Sequence, residues 1–211
     1  MDSKGTQDNP TPKKSTKTTG NKPARLKISR THKPEYLELE EWQRQLRQQY
    51  GEQQKYHLEN KGDHPIFSDF LITNPQSQKT YKIAIRGEAP GDNYCSCPDF
   101  SINNLGTCEH IVFTLSQLMK TTGAEEVFRK GCKTPYSEVF LNYGLKREVR
   151  FRAGSEAPAE LLTLAQQYFD EKGLLREEHI LDFHRFLGSI LRQNGDEVRC
   201  YDDVMTYIAE R

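Results

Sequence analysis

The stretch YCSCPDFSINNLGTCEHIVF, residues 94–113, contains a Cys-x-Cys pair and, after ten further residues, a Cys-x-His pair. Three of the five cysteines in the 211-residue chain lie within it, together with one histidine. Three thiolates and one imidazole are the donor set of a closed tetrahedral zinc site, with Zn–S near about 2.3 Å and Zn–N near about 2.0 Å. This stretch predicts one structural Zn²⁺ ion.

The spacing also predicts the local structure around these donors. Cys95 and Cys97 are expected on one side of a strand, because side chains two residues apart point the same way. Pro98 should end that strand, since it has no N–H to donate. Thr107 is the predicted N-cap of a helix to about Lys120, because apolar residues recur after it at helical spacing. The positive end of that helix would favour thiolates.

Other uses of the thiols are weaker interpretations. A disulfide framework needs an oxidising compartment, and the polar start of the chain contains no apolar signal core. An iron–sulfur cluster usually takes four cysteines. Cys108 and His110 as nucleophile and base would need an orienting acid and an oxyanion hole, which the loop does not suggest. Ligand chemistry favours zinc and leaves unliganded core thiols and a catalytic cysteine as alternatives.

The two pairs, Tyr94 before them, Pro98 between them and the apolar run 111–113 resemble the SWIM-type zinc finger. That finger occurs in bacterial Swi/Snf-type helicases, plant transposase-related factors and some ubiquitin ligases. The resemblance implies contact with nucleic acid or protein, and not catalysis. The flanking regions resemble the N-terminal part of bacterial Swi/Snf proteins, which implies an accessory helicase region separated from its motor. The implied zinc ligands are Cys95, Cys97, Cys108 and His110.

Charge is unevenly distributed along the chain. Residues 1–30 contain eight Lys or Arg and two Asp, a net of +6, so residues 31–211 carry −6. We call residues 1–30 the basic arm. Few large aliphatic side chains occur there, so residues 1–33 are predicted to be a disordered tail. The arm either binds phosphate backbones by counterion release or simply keeps the chain soluble.

The remaining patterns predict an α+β fold: a small antiparallel sheet with a ββα-like zinc finger, followed by a helical segment. The predicted divisions after the tail are an N-terminal helix and linker at 34–62, the zinc finger at 63–122 and a mainly helical segment at 123–211. Helical periodicity, alternation and turn residues underlie the individual elements. Helices are predicted over 34–55, 158–172, 176–193 and 201–210, and strands over 66–73, 80–86 and 146–152.

Several side chains outside the cysteine pairs have expected roles. Lys79, Lys82 and Arg86 are expected to form a basic stripe on the solvent face of the sheet, for phosphate contact or only hydration. His184 falls on an apolar stripe and is expected in the core, and Trp42 is expected to pack against the finger. His57 and His64 are expected at the surface or in caps, and Cys132 and Cys200 as partly buried thiols.

The leading hypothesis is a zinc-binding module that engages nucleic acid, DNA first, as part of or partner to a Swi/Snf-type helicase. The alternative is a protein-interaction adaptor in which zinc is purely structural. A thiol hydrolase is a third hypothesis, and it would need an exposed thiolate of low pKa at Cys108. No Gly-x4-Gly-Lys-[Ser/Thr] motif occurs, so the chain is not expected to be an ATPase or other enzyme. No small-molecule substrate and no membrane contact are expected, and the reduced thiols indicate the cytoplasm.

Overall fold

The computed structural model describes residues 27–144, 146–193 and 198–211, without the side chains of residues 191–193. The first half of the chain forms one sheet and four helices, and the second half forms another sheet with its own helices. The first group is α1 (Leu39–Gly51), β1 (His57–Asn60), β2 (Asp69–Thr73), β3 (Thr80–Ala84), β4 (Tyr94–Cys95), α2 (Pro98–Ile102), α3 (Glu109–Leu118) and α4 (Ala124–Lys130). The second group is β5 (Ser137–Tyr143), β6 (Arg147–Arg152), α5 (Ala159–Tyr168), a 3₁₀ turn (Glu177–His179), α6 (Phe183–Gln193), β7 (Val198–Cys200) and α7 (Asp202–Ala209).

The first sheet is the antiparallel one that the sequence predicts, with strand order β1-β2-β3-β4. The β2–β3 turn is closed by Asn74, whose Oδ1 accepts hydrogen bonds from the backbone N–H of Gln76 and Ser77. Ile72 and Ile83 of this sheet and Ile111 of α3 are buried in the same hydrophobic core. The mixed α+β class and the small antiparallel sheet are therefore confirmed. No helix in the described ranges is long and apolar enough to cross a membrane.

The second sheet departs from the prediction of a mainly helical segment at 123–211. Its order is β6-β5-β7, with β5 antiparallel to β6 and parallel to β7. β5 is buried on both faces, so its sequence SEVFLNY lacks the apolar–polar alternation that marks a half-exposed strand. The predicted strand over 146–152 is present as β6. Beneath the sheet, the rings of Phe151, Phe169 and Phe186 pack together.

Two glycines join the sheets through backbone contacts. The N–H of Gly91 donates to the carbonyl of Gly106 at 2.9 Å, and the N–H of Tyr143 donates to the carbonyl of Gly91 at 3.2 Å. Gly106 has φ +70°, and a Cβ there would lie 2.5 Å from the Gly91 nitrogen. The loop that leads into α3 therefore requires glycine for both conformation and space.

The start of the described chain lies along α1. Ile28 exchanges hydrogen bonds with the Gln49 amide at 2.8 and 3.3 Å, and the Trp42 indole N–H donates to the Ser29 carbonyl at 2.9 Å. Trp42 therefore contacts the segment that precedes α1, whereas the sequence predicted that it packs against the finger. Residues 1–26 of the predicted disordered tail lie outside the described residues. α1 begins at Leu39, later than predicted, because residues 34–37 form a turn.

Candidate metal centre

The two sequence pairs meet in one buried cluster. One donor atom from each of Cys95, Cys97, Cys108 and His110 lies within 4.8 Å of all the others. The three cysteines are at most 1% exposed, and His110 is 7% exposed. The structure therefore brings together all four residues that the sequence singled out. We call this group the metal centre.

Three kinds of backbone position hold these donors: a strand, the N-cap residues of two helices, and the first turn of a helix. Cys95 lies on β4 opposite Ile83 of β3, and α2 begins directly after Cys97. Cys97 is thus the N-cap of a short helix rather than a strand residue, and its Sγ accepts a hydrogen bond from the N–H of Phe100 at 3.4 Å. Pro98 occupies the first helical turn, where its missing N–H has no cost. Because Cys97 is itself in extended conformation, side-chain alternation along the extended chain still directs the two thiols to the same side, as predicted.

The second pair lies at the start of α3. Cys108, and not Thr107, is the N-cap residue, in extended conformation with ψ 172°. Side chains two residues apart within a helix point in different directions. Because Cys108 precedes the regular helix, this restriction does not apply to Cys108 and His110. The Cys108 Sγ and the His110 Nδ1 are 4.0 Å apart. In a tetrahedral zinc site this separation would be about 3.6 Å, so a small adjustment accommodates the ion.

Aromatic and polar groups hold the His110 ring in place. It stacks on Tyr56, with centroids 5.1 Å apart, and lies against Tyr81 at 4.9 Å. The Glu109 carboxylate lies 3.7 Å from its Nδ1. Thr114 donates its hydroxyl hydrogen to the His110 carbonyl at 2.9 Å. The two aromatic rings thus fix the orientation of the imidazole, and the Thr114 hydrogen bond fixes the backbone of His110.

The protonation of the thiols follows from their burial and proximity. Burial raises the pKa of Cys108, and the neighbouring Cys95 and Cys97 raise it further. The pKa of Cys97 is lowered, chiefly because it accepts hydrogen bonds from Cys108 and then from Cys95. Three adjacent thiolates without a cation would repel one another in a dry site. A divalent cation removes that repulsion, so the donor set fits Zn²⁺.

An ion pair that the sequence analysis missed ties α1 to this centre. Arg47 donates from Nε and Nη2 to both carboxylate oxygens of Asp99, at 2.9 and 2.5 Å. The hydrogen bond to Asp99 raises the pKa of Arg47. Arg44 donates to the carbonyl of Leu105 at 3.1 Å. α1 thus holds both ends of the loop that separates Cys97 from Cys108.

Two side-chain expectations are wrong. Arg86 is only 6% exposed, so it does not join Lys79 and Lys82 in a solvent-facing stripe. The chain at 83–86 is buried throughout and does not continue the alternation of β3. His184 is exposed, because α6 buries a face containing Phe183 and Phe186, one position away from the predicted stripe.

The remaining predicted residues lie apart from the metal centre. His57 is exposed on β1, and His64 Nδ1 accepts hydrogen bonds from the backbone N–H of Ile66 and Phe67 at 3.1 and 2.8 Å. His57 and His64 therefore lie at the surface, and His64 also has a capping role. Cys132 and Cys200 are partly buried free thiols.

Residues 81–118 match the family model of the SWIM zinc finger. This segment runs from β3 to the end of α3 and contains all four residues of the metal centre. The protein therefore has a SWIM-type zinc finger, and the prediction of a zinc ion bound by such a finger is confirmed. Searches of curated proteins and of solved structures returned no match to the chain.

Proposed function

We propose that this zinc-binding module engages nucleic acid, with the basic arm holding the phosphate backbone beside the SWIM finger. The supporting observation is where the arm meets the finger. Lys27 and Arg30 line a groove together with Arg47, Asp99 and Glu109, directly over the loop and helix of the metal centre. Six further basic residues precede this point in the sequence. Phosphates bound by the arm would therefore lie next to the finger.

The distribution of charge assigns phosphate binding to the arm rather than to the rest of the chain. The arm carries the +6, whereas residues 31–211 carry −6 and would be repelled by a polyanion. In this proposal zinc stabilises the fold, because it fixes the loop and the helix beside which the arm ends. In this proposal DNA is the first candidate, a Swi/Snf-type helicase or related ATPase supplies the motor, and the module itself catalyses nothing. It works in the cytoplasm, where its thiols stay reduced.

Anisotropy binding of the zinc-loaded full chain to labelled duplex DNA, single-stranded DNA and RNA over a salt series tests the proposal. The test variant replaces Lys13, Lys14 and Lys17 by Gln. The matched control replaces three exposed lysines outside the arm, Lys61, Lys120 and Lys172. On duplex DNA the slope of log K against log salt is negative, and each lost phosphate contact makes it less negative by about 0.9. The slope of the arm variant should therefore be less negative by about 3.

The control should keep the slope of the unchanged protein. Equal slopes for the two variants would show that the arm does not contact phosphate. Binding that is absent even at low salt would refute nucleic-acid engagement as a whole.

A protein-interaction adaptor is the second candidate, and exposed apolar side chains favour it. Ile102 of α2 is 83% exposed and Leu181, before α6, is 80% exposed. Solvent-exposed aliphatic side chains on an acidic body suit a partner with basic and apolar surface. Failure to bind any nucleic acid would make this the leading function.

A further inference from the structure

A second site lies away from the metal centre, in a cavity of about 610 Å³ between the end of the first sheet and the edge of the second. Its walls come from the connection between β1 and β2, the chain at the end of β3, α4 with the loop after it, and the strands β5 and β7 with Tyr201. Part of the lining is apolar, with Phe67, Ile85 and Val127, and the rest is charged. Its volume is in the range of sites that enclose a small organic molecule.

Arg86 is the unusual group in this cavity. Its guanidinium lies over the Tyr201 ring, with Cζ 4.1 Å from the ring centroid. Its Nε and Nη1 are buried and have no hydrogen-bond partner among the residues that the structure describes. A buried cation with unused donors is costly, because no acceptor of the described residues replaces the lost hydration of these two N–H groups. The cavity therefore leaves these donors open to an acceptor from a bound ligand.

Glu138 does not supply that acceptor. It is 2% exposed on β5, and its Oε1 accepts a hydrogen bond from the Tyr201 hydroxyl at 2.5 Å. Its Oε2 is 3.7 Å from Nη1 of Arg152, and its cross-strand neighbours are Arg152 on β6 and Arg199 on β7. The Glu138 Oε2 and the Arg152 Nη1 are themselves buried without a hydrogen-bond partner among the described residues, so this carboxylate forms no hydrogen bond with any of the arginines around the cavity.

The rim of the cavity contributes no net charge of its own. Lys130 and Lys133 also line the cavity, and Asp63 and Asp69 oppose them. With Arg86, Arg199 and Glu138, the lining has four basic side chains and three carboxylates, a net of +1, and Lys130 also forms an ion pair with Glu126 at 3.2 Å. A phosphate monoester carries about −1.5 to −2 at neutral pH, so this positive lining attracts it.

We propose that this cavity binds a phosphate monoester, with the Arg86 guanidinium donating to the phosphate oxygens and the apolar wall receiving the rest of the ligand. Its free donors, Nε–H and Nη1–H, leave from different edges of the planar guanidinium, so a phosphate oxygen accepts a charge-assisted hydrogen bond from one of them. Lys130 and Lys133 attract the anion from the rim. The phosphate belongs either to a small phosphorylated molecule or to the 5′ end of a nucleic-acid strand, because the same chemistry recognises both.

Titration calorimetry on the zinc-loaded full chain, with thermal melting in parallel, tests this site. The ligands are inorganic phosphate, a nucleoside monophosphate, and one oligonucleotide with and without a 5′-phosphate. Arg86→Lys keeps the charge but loses the guanidinium N–H donors, and should weaken binding of the monophosphate about tenfold. Lys130→Gln with Lys133→Gln, both at exposed positions, should weaken it severalfold. Lys120→Gln with Lys172→Gln is the matched control and should bind as the unchanged protein does.

The two sources separate in the same experiment. Tighter binding of the monophosphate than of the phosphorylated oligonucleotide indicates a small molecule, and the reverse order, with no effect of the unphosphorylated strand, indicates a strand end. Far-ultraviolet circular dichroism and zinc content establish that each variant is folded. If Arg86→Lys does not fold, the double variant Lys130→Gln with Lys133→Gln tests the proposal by itself. The proposal is overturned if none of the phosphate ligands binds at millimolar concentration, or if the folded variants bind as tightly as the control.

Discussion

Replacing Cys108 by Ser tests the role of the metal centre in holding the finger together. The side chain at this position is fully buried, and its Sγ lies 4.0 Å from the His110 Nδ1 within the donor cluster. A serine hydroxyl has nearly the same shape but does not ionise near neutral pH, so it is a poor zinc ligand. The substitution therefore removes one of four metal bonds and leaves the surrounding packing nearly unchanged.

The magnitude follows from the donor count. Structural zinc binding contributes about 10–16 kcal/mol, so an equal share for each of the four donors is about 3 kcal/mol or slightly more. That loss weakens zinc binding by roughly 100-fold or more. For a chain of this size it lowers the melting temperature by about 6–12 °C. Loss of amide protection should centre on residues 63–122, whereas α6 packs on the aromatic core of the second sheet and should keep its protection.

Zinc retention against a chromogenic chelator, thermal melting and hydrogen exchange measure these three effects. Cys200→Ser is the matched control, because Cys200 is a partly buried free thiol outside the donor cluster. The reasoning is refuted if Cys108→Ser retains stoichiometric zinc and melts within about 2 °C of that control.

The remaining predictions concern the loop, the ion pair and a free thiol. Gly106→Ala should cost about 2–4 kcal/mol in the free energy of unfolding, whereas Gly123→Ala, at φ +82° with open space around it, should cost only about 1–2 kcal/mol; chemical denaturation compares them. Arg47→Gln should lower the free energy of unfolding by about 1 kcal/mol, because solvent screens this partly exposed ion pair. A double-mutant cycle with Asp99→Asn should assign most of that loss to the interaction between the two side chains. Burial, the main cause, raises the pKa of Cys200 to about 11, so iodoacetamide at pH 8 should alkylate it about 200-fold more slowly than an ordinary thiol. Its rate should rise about tenfold per pH unit up to that pKa, and mass spectrometry that finds fast, pH-independent labelling would contradict the burial argument.

The sequence predicted features that depend on residues close together in the chain. The donor set, the β2–β3 hairpin and the helix after Cys108 are all evident from spacing within short windows. The same local reasoning misplaced the end of β4, but not the direction of its side chains. Cys97 was expected on a strand, yet it caps a helix, and its thiol still reaches the cluster. For α6 an error of one position in the buried face was enough to misplace His184, because each helical residue turns the side chain by about 100°.

What the sequence alone determined is the zinc chemistry, the α+β class and the segregation of positive charge into the basic arm. The tertiary structure decided the second sheet, in which β5 pairs in parallel with β7 from near the end of the chain. It also decided that Arg86 is buried, whereas alternation along β3 predicted exposure. The physical reason is that periodicity reports only which face of an element is apolar. Contacts between residues far apart in the chain, such as Glu138 and Tyr201, decide which element covers that face. The same contacts decide whether a buried charge meets a hydrogen-bond acceptor.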